Sequence, residues 1–336
     1  VVDLSIGTPV DPTPAVVGQA LAAAADAPGY PPTAGTPALR EAAAGWLARR
    51  YGVVGLDPAA VLPTIGSKEL ISLLPMLLGL GPGDQIVLPE LAYPTYDVGA
   101  RLAGVTAVRS DGLLGLGPSR VGLVWLNSPA NPTGRVLPVA HLRKVVAWAR
   151  ERGAVVASDE CYLEFGWEEQ PTSVLHPDVC GGRYDGLLSV HSLSKRSNLA
   201  GYRAGFVAGD PALVAALLAV RRHVGLIVPR PVQAAMAAAL ADDEHVAVQR
   251  SRYAARREQL RAALHAAGFT VDHSAAGLYL WATRGTDCWS TVDWLAARGV
   301  LVAPGVFYGP TGDRHVRFAL TATDERIAAA ASRLRD

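Results

Sequence analysis

Ala154-Val155-Val156-Ala157-Ser158-Asp159-Glu160-Cys161-Tyr162 is an apolar run of strand length that ends in two acids. Such a run, without polar alternation, is the pattern of a strand buried on both faces. An Ala-rich helical stretch, Val139–Arg152, precedes it. Working outward, further strand-length runs lie at Gln85–Leu88, Val105–Arg109, Gly122–Leu126, Gly186–Val190 and Ala204–Ala208. Helical patterns at Pro37–Tyr51, Glu69–Leu78 and Tyr96–Leu102 punctuate the same region. Buried strands separated by helices predict an α/β fold, a mainly parallel sheet covered by helices on both faces. Ligands bind such sheets beyond the carboxyl ends of the strands, where Asp159 and Glu160 fall. A carboxylate there is costly unless a cation or a donor meets it, and a helix cap is the alternative use.

After about residue 210 the pattern changes. Two long helical segments, Pro211–Val224 and Pro231–Ala267, precede strands near Thr270–Asp272, Leu278–Ala282 and His315–Ala319 and a last helix over Asp324–Leu334. The expectation is a large domain over 15–240 and a smaller α+β domain formed by 1–14 with 241–336. No repeat of 20 to 50 residues is visible.

The 336 residues are 50% apolar and 18% charged, and the formal charge is only +1. That balance argues against a nucleic-acid partner or an anionic membrane surface, both of which call for a basic excess. No apolar run reaches the length of a membrane span. Val1–Ile6 reads as core rather than as a signal peptide, and it opens in mid-pattern, which points to native residues upstream. Cys161, Cys180 and Cys288 are odd in number and widely spaced, so a disulfide framework is not expected and a reducing, cytoplasmic setting is. No histidine has a partner at metal-ligand spacing, and none is expected to bind metal; His191 reads as a satisfied buried residue. Only three lysines, Lys68, Lys144 and Lys195, stand against 28 arginines, which shortens the search for a nucleophilic amine.

Three more stretches carry chemistry. Gly66-Ser67-Lys68-Glu69 joins a strand-like run to a helical face, and its N–H groups open that helix as a phosphate site does. A plain Ser67 cap reads the same way. Pro75 inside that helix predicts a kink. Asn127-Ser128-Pro129-Ala130-Asn131-Pro132-Thr133-Gly134 closes a strand with a tight loop that can aim the Asn131 amide at a ligand or merely turn the chain. Ser192-Leu193-Ser194-Lys195, with Arg203 downstream, sets an amine at the sheet's carboxyl edge among hydroxyls and near a cation. A lysine so placed can be held near neutrality and form a Schiff base, although alone it could equally be a surface residue.

Together these stretches resemble the fold-type I pyridoxal-phosphate aminotransferases of the aspartate-aminotransferase-like class, over essentially the whole chain. Within it, Asp3–Pro14, Leu91-Ala92-Tyr93-Pro94-Thr95-Tyr96 and Ser194-Lys195-Arg196-Ser197-Asn198 are similar to the actinobacterial succinyldiaminopimelate transaminases. The resemblance implies catalytic roles for Lys195, Asp159 and Tyr162. Lys195 would carry pyridoxal 5′-phosphate and shuttle a proton, and Asp159 would pair with the ring nitrogen. Tyr162 and Asn131 would bond the ring oxygen, and Tyr93 would stack on the ring. Gly66, Ser67, Lys68, Ser192, Ser194 and Arg203 would hold the phosphate. Tyr30 would reach a neighbouring subunit's site in a homodimer. Arg317 would fork onto a substrate carboxylate, with Gly7 and Asn131 beside it. Arg230 is a weak candidate for a distal carboxylate.

The implied reaction exchanges an amino group between glutamate and a keto acid by a ping-pong route. The foremost pair is N-succinyl-LL-2,6-diaminopimelate and its keto acid, in lysine and diaminopimelate synthesis. Alternatives are aspartate, alanine or aromatic amino acids, or a lyase on the same scaffold. A nicotinamide dehydrogenase lacks its G-x-G-x-x-G here, and a regulator would need an attached DNA-binding unit.

Overall fold

The computed structural model describes residues 1–113 and 120–335. Strand β1 (Val2–Asp3) opens the chain. The main sheet follows from β2 (Val61–Ile65), β3 (Gln85–Leu88), β4 (Thr106–Arg109), β5 (Val121–Asn127), β6 (Val155–Asp159), β7 (Leu187–Ser192) and β8 (Ala204–Gly209). Its order is β2-β8-β7-β6-β5-β3-β4. Only β8 runs against its neighbours; the other pairs are parallel. The sheet is therefore the mainly parallel one expected, with one reversed strand near its edge.

Alternation along β5 shows why its sequence is apolar throughout. Val124 and Leu126 enter the core on one face with Trp46 and Phe206, while Leu123 and Trp125 enter the opposite core with Leu70 and Tyr96. Each such side chain removed from water contributes about 1.5–3 kcal/mol. The helices Pro37–Tyr51 and Val139–Arg152 lie where the sequence predicts them. Thr36 caps the first by accepting the Leu39 N–H, Pro37 fills the first turn, and Gly52 ends it in the left-handed region.

The helix Gly66–Leu77 holds Pro75 inside its last turn, as the sequence places it, and stops two residues later. Pro75 has no N–H for the Ile71 carbonyl, and Gly99 of the helix Thr95–Ala103 packs against that carbonyl; a Cβ there would sit 3.0 Å from it. The predicted helix Pro231–Ala267 is two helices, Arg230–Ala241 and Glu244–Ala266. Asp242 breaks it because its carboxylate accepts the Glu244 N–H (2.9 Å) and bonds the His245 ring (2.8 Å), capping the second helix. The helix over Pro211–Arg221 also ends before the expected Val224.

A smaller four-stranded sheet is built from β9 (Thr270–Asp272), β10 (Tyr279–Thr283), β12 (Ala303–Pro304) and β13 (Val316–Ala319), and β11 (Val300–Leu301) belongs to a separate two-stranded one. The antiparallel order is β12-β13-β10-β9, while β11 pairs in parallel with β1. The N-terminal segment is thus tied to the C-terminal part of the chain. Arg256 fastens it further by a bidentate, buried pair with Asp11 (2.7 and 2.8 Å). Among the described residues no helix is long and apolar enough to cross a membrane.

Candidate active site

Parallel pairing sets the carboxyl ends of β5, β6 and β7 side by side, with Asn127 opposite Asp159 and Asp159 opposite Val190. The Asp159 side chain is buried and no helix follows it, so it caps nothing. Its Oδ2 accepts from the Tyr96 hydroxyl (2.8 Å) and its Oδ1 from the Cys161 N–H (3.2 Å). Burial raises its proton affinity and outweighs those two bonds. A carboxylate in that condition calls for a cationic partner. Tyr96 is fixed in turn by stacking on Trp125, with ring centres 4.9 Å apart, and Tyr93 meets it edge-on at 5.8 Å.

Beside Asp159 lies a cradle made by two distant segments. The Gly66 N–H donates to the Arg203 carbonyl (2.7 Å), and both residues are left-handed, at φ 68° and 56°. The Arg203 guanidinium fills the space a side chain at Gly66 would need: a Cβ would meet its Nη2 at 2.4 Å. Gly205 matters for the same reason, since a Cβ there would lie 3.0 Å from the Ser67 nitrogen. The helix thus starts with Ser67 and Lys68 carrying N–H groups that have no acceptor within it, at its positive end. Ser192 caps the short turn Leu193–Arg196 by accepting the Ser194 N–H (3.2 Å), and both hydroxyl residues line the same cavity.

The opposite wall comes from the N-terminal segment and the small sheet. The Lys195 ammonium donates to the Gly7 carbonyl. Arg317 donates to Asn131 Oδ1 (2.9 Å) and the Ser5 carbonyl (2.6 Å), and its guanidinium lies 4.0 Å over the Tyr279 ring. Spending its oxygen on Arg317 leaves the Asn131 amide N–H groups for the cavity. The peptide bonds before Pro129 and Pro132 are both cis. Tyr162 and Tyr279 share a hydrogen bond between hydroxyls (3.0 Å). Burial pushes the Tyr162 phenol up; at Tyr279, burial is outweighed by the cations Arg317 and Lys195, which hold it below the usual tyrosine range.

These groups surround one cavity of about 540 Å³. It is lined by Gly7, Ser67, Lys68, Tyr93, Asn131, Asp159, Tyr162, Ser192, Ser194, Lys195, Arg203 and Arg317. Gly66 stands just behind, shaping the cradle. Tyr30 is 98% exposed and away from this cavity. Arg230, exposed at the head of its helix, is also outside it, while Arg221 is buried in a bidentate pair with Glu69. Sequence reading missed Tyr96, Tyr279 and Cys161 as site residues. Tyr96 was recoverable, since Tyr93-Pro94-Thr95-Tyr96 puts two rings three residues apart at a helix start. Nothing in the letters around Tyr279 sets it apart from core.

Below the floor, His191 stacks on Phe206 (4.8 Å) and bonds Ser189 (3.0 Å), 3.7 Å from Glu160. Burial pulls His191 down to about 3 and pushes Glu160 up to about 7.

The cavity suits one kind of cofactor. Helix-opening N–H groups, three hydroxyls and Arg203 suit a phosphate, buried Asp159 suits a cationic ring nitrogen, and the Lys195 amine suits an aldehyde. Residues 1–334 match the family model for aminotransferase class I and II. The chain belongs to that family. Its cofactor is pyridoxal 5′-phosphate and its activity is transamination.

A Mycobacterium tuberculosis protein named as a probable aminotransferase is 66% identical over 334 residues, 99% of this chain and 80% of that one. The 4-dedimethylamino-4-oxo-anhydrotetracycline transaminase of Streptomyces rimosus is 64% identical over 333 residues, 99% and 92% of the two chains. A Thermus thermophilus structure titled a probable N-succinyldiaminopimelate aminotransferase superposes with a TM-score of 0.88 at 33% identity, covering all of this chain and 94% of that one.

Proposed function

We propose that this aminotransferase takes an amino group from glutamate and delivers it to a keto acid with an anionic distal end, foremost N-succinyl-2-amino-6-oxopimelate. The observation that carries this reading is that the cavity holds two cations, Arg317 in the wall and Lys68 at the cradle, beyond the Lys195 and Arg203 assigned to the cofactor. Arg317 forks onto the α-carboxylate, oriented by Asn131 and the Ser5 carbonyl. The Lys68 ammonium lies 5.9 Å from the Tyr93 ring centre and would be the cation offered to the distal group. The name borne by the Thermus relative supports the same substrate class.

Bound pyridoxal phosphate supplies an electron sink for the carbon that loses its proton. Asp159 keeps the ring nitrogen charged, Tyr162 donates to the ring oxygen, and Tyr93 covers the ring face. Lys195, once displaced, moves the proton at the substrate carbon as general base and then acid. Ser67, the Lys68 backbone N–H, Ser192, Ser194 and Arg203 anchor the phosphate. The working unit is a homodimer in the cytoplasm, with Tyr30 reaching the second subunit's phosphate. Residues 15–240 act as the cofactor domain, and 1–14 with 241–336 as the domain that closes on the substrate.

A second reading has one specific support, the 64% identity to a transaminase named for a tetracycline intermediate. A polycyclic ketone of that kind offers no α-carboxylate to Arg317. Screening the aminated enzyme against keto acids and against polycyclic ketones separates the two. Turnover with N-succinyl-2-amino-6-oxopimelate, and stoichiometric 2-oxoglutarate without ammonia in the glutamate half-reaction, is the expected result. Turnover confined to polycyclic ketones overturns it.

A further inference from the structure

The residue that touches most of the expected reaction machinery without a part in it so far is Tyr279. It is buried on β10, diagonally across from Arg317 on β13, which lies two residues from its direct partner Ala319. Its ring carries the Arg317 guanidinium at 4.0 Å. Its hydroxyl lies 3.0 Å from that of Tyr162. On its other side stands Gly7, where a Cβ would come within 2.2 Å of the hydroxyl oxygen, so the glycine exists there to make room for it. The Gly7 carbonyl is in turn the acceptor of the Lys195 ammonium.

A phenol has one proton to give. If Tyr162 spends its proton on the cofactor's ring oxygen, the bond between the two tyrosines must run from Tyr279 to Tyr162. We propose that Tyr279 is a positioning residue that donates to the Tyr162 hydroxyl and so strengthens the Tyr162 bond to the ring oxygen, while its ring serves as the platform for Arg317. This rests on the cofactor roles given above. The charged and titratable groups facing Tyr279 are Arg317, Lys195, Tyr162 and Cys161, with Tyr253 and Tyr308 further round. The two cations among them withdraw electron density from the phenol and make it a better donor. Hydroxyl and ring therefore do separable work: one reaches the cofactor through Tyr162, the other steadies the group that reads the substrate.

Two substitutions separate those contributions. In Tyr279→Phe the ring stays under Arg317 and the donor is lost. A weaker Tyr162 bond leaves more negative charge on the ring oxygen, which then holds its shared proton more tightly. The pH midpoint of the visible band of the cofactor-loaded protein should rise by a few tenths of a unit to about one unit. The kcat should fall about three- to tenfold with KM unchanged within about twofold. In Tyr279→Leu the platform goes too, and KM should rise about tenfold as well. Adding Tyr279→Phe to Tyr162→Phe should move the midpoint no further, because the effect passes through Tyr162. A parental midpoint and kcat in Tyr279→Phe, or additive shifts in the double variant, overturn the inference alone. A parent protein that shows no visible band with pyridoxal phosphate overturns this inference and the cofactor roles together.

Discussion

The floor of the cavity and its wall are built on different principles. The floor, with Asp159, Ser192, Ser194 and Lys195, sits on the ends of adjacent parallel strands or within a few residues of them. The wall, with Gly7, Tyr279 and Arg317, is assembled from the first residues of the chain and two strands of the small sheet. Floor positions come from one continuous, mainly parallel sheet, whereas the wall joins the N-terminal segment to the paired strands β10 and β13. Side-chain bonds such as Arg317 to Asn131 and the Ser5 carbonyl tie the wall to the rest. The floor should therefore set the chemistry, and the wall should set recognition, except that the Tyr279 hydroxyl acts on the floor's side through Tyr162.

The strongest test of that division is Lys195→Ala, which should abolish the visible band and cut turnover more than about 10³-fold with the fold unchanged by circular dichroism. Retained turnover would remove the floor's claim on the chemistry. Asp159→Asn should still take up cofactor weakly and lose about 10²–10³-fold in kcat, because a neutral amide no longer holds the ring nitrogen charged. A change in KM alone would break the comparison. On the wall, Arg317→Lys should lower kcat/KM about 10–100-fold, chiefly through KM, since an ammonium cannot fork onto a carboxylate.

The smallest effects lie beneath the floor and concern stability rather than turnover. Glu160 keeps in the folded state a proton that the unfolded chain releases above its usual 4.5, up to about pH 7. His191 refuses in the folded state a proton that the unfolded chain takes up below 6.5, down to about pH 3. Between 4.5 and 6.5 the two slopes have opposite sign and cancel. With only Glu160 left to titrate, His191→Phe should lose stability as pH rises from 4.5 to about 7, and with only His191 left, Glu160→Gln should gain it from about 3 to 6.5. The slope is about 1.4 kcal/mol per pH unit in each case, read by denaturant titration of cofactor-free protein. Parallel pH profiles in both variants would refute independent titration.

How much of each region was legible follows from the same contrast. Apolar runs ending in Asp159 or leading to Ser192-Leu193-Ser194-Lys195 show themselves, because a buried strand leaves an unbroken pattern and its terminus is where polarity returns. Arg317 was legible only by resemblance, and Tyr279 not at all, since an aromatic on a short strand has the same signature in a site as in a core. The break at Asp242 was hidden for a related reason: helical periodicity continues across it, and the capping bonds to Glu244 and His245 are a property of one side chain's direction. The pair formed by Glu160 and His191 joins positions that only the pairing of β6 with β7 brings together.

The embrace of Gly66 by Arg203 carries a consequence for synthesis. Strand β2 has a single sheet partner, β8, and the helix start right after it packs against the guanidinium of Arg203, the residue just ahead of that partner. A polypeptide still emerging from the ribosome owns the glycine long before it owns the arginine. On the roles proposed above, loading with the vitamin-derived group should be a late event, and a chain terminated ahead of residue 203 should have no seat to offer it.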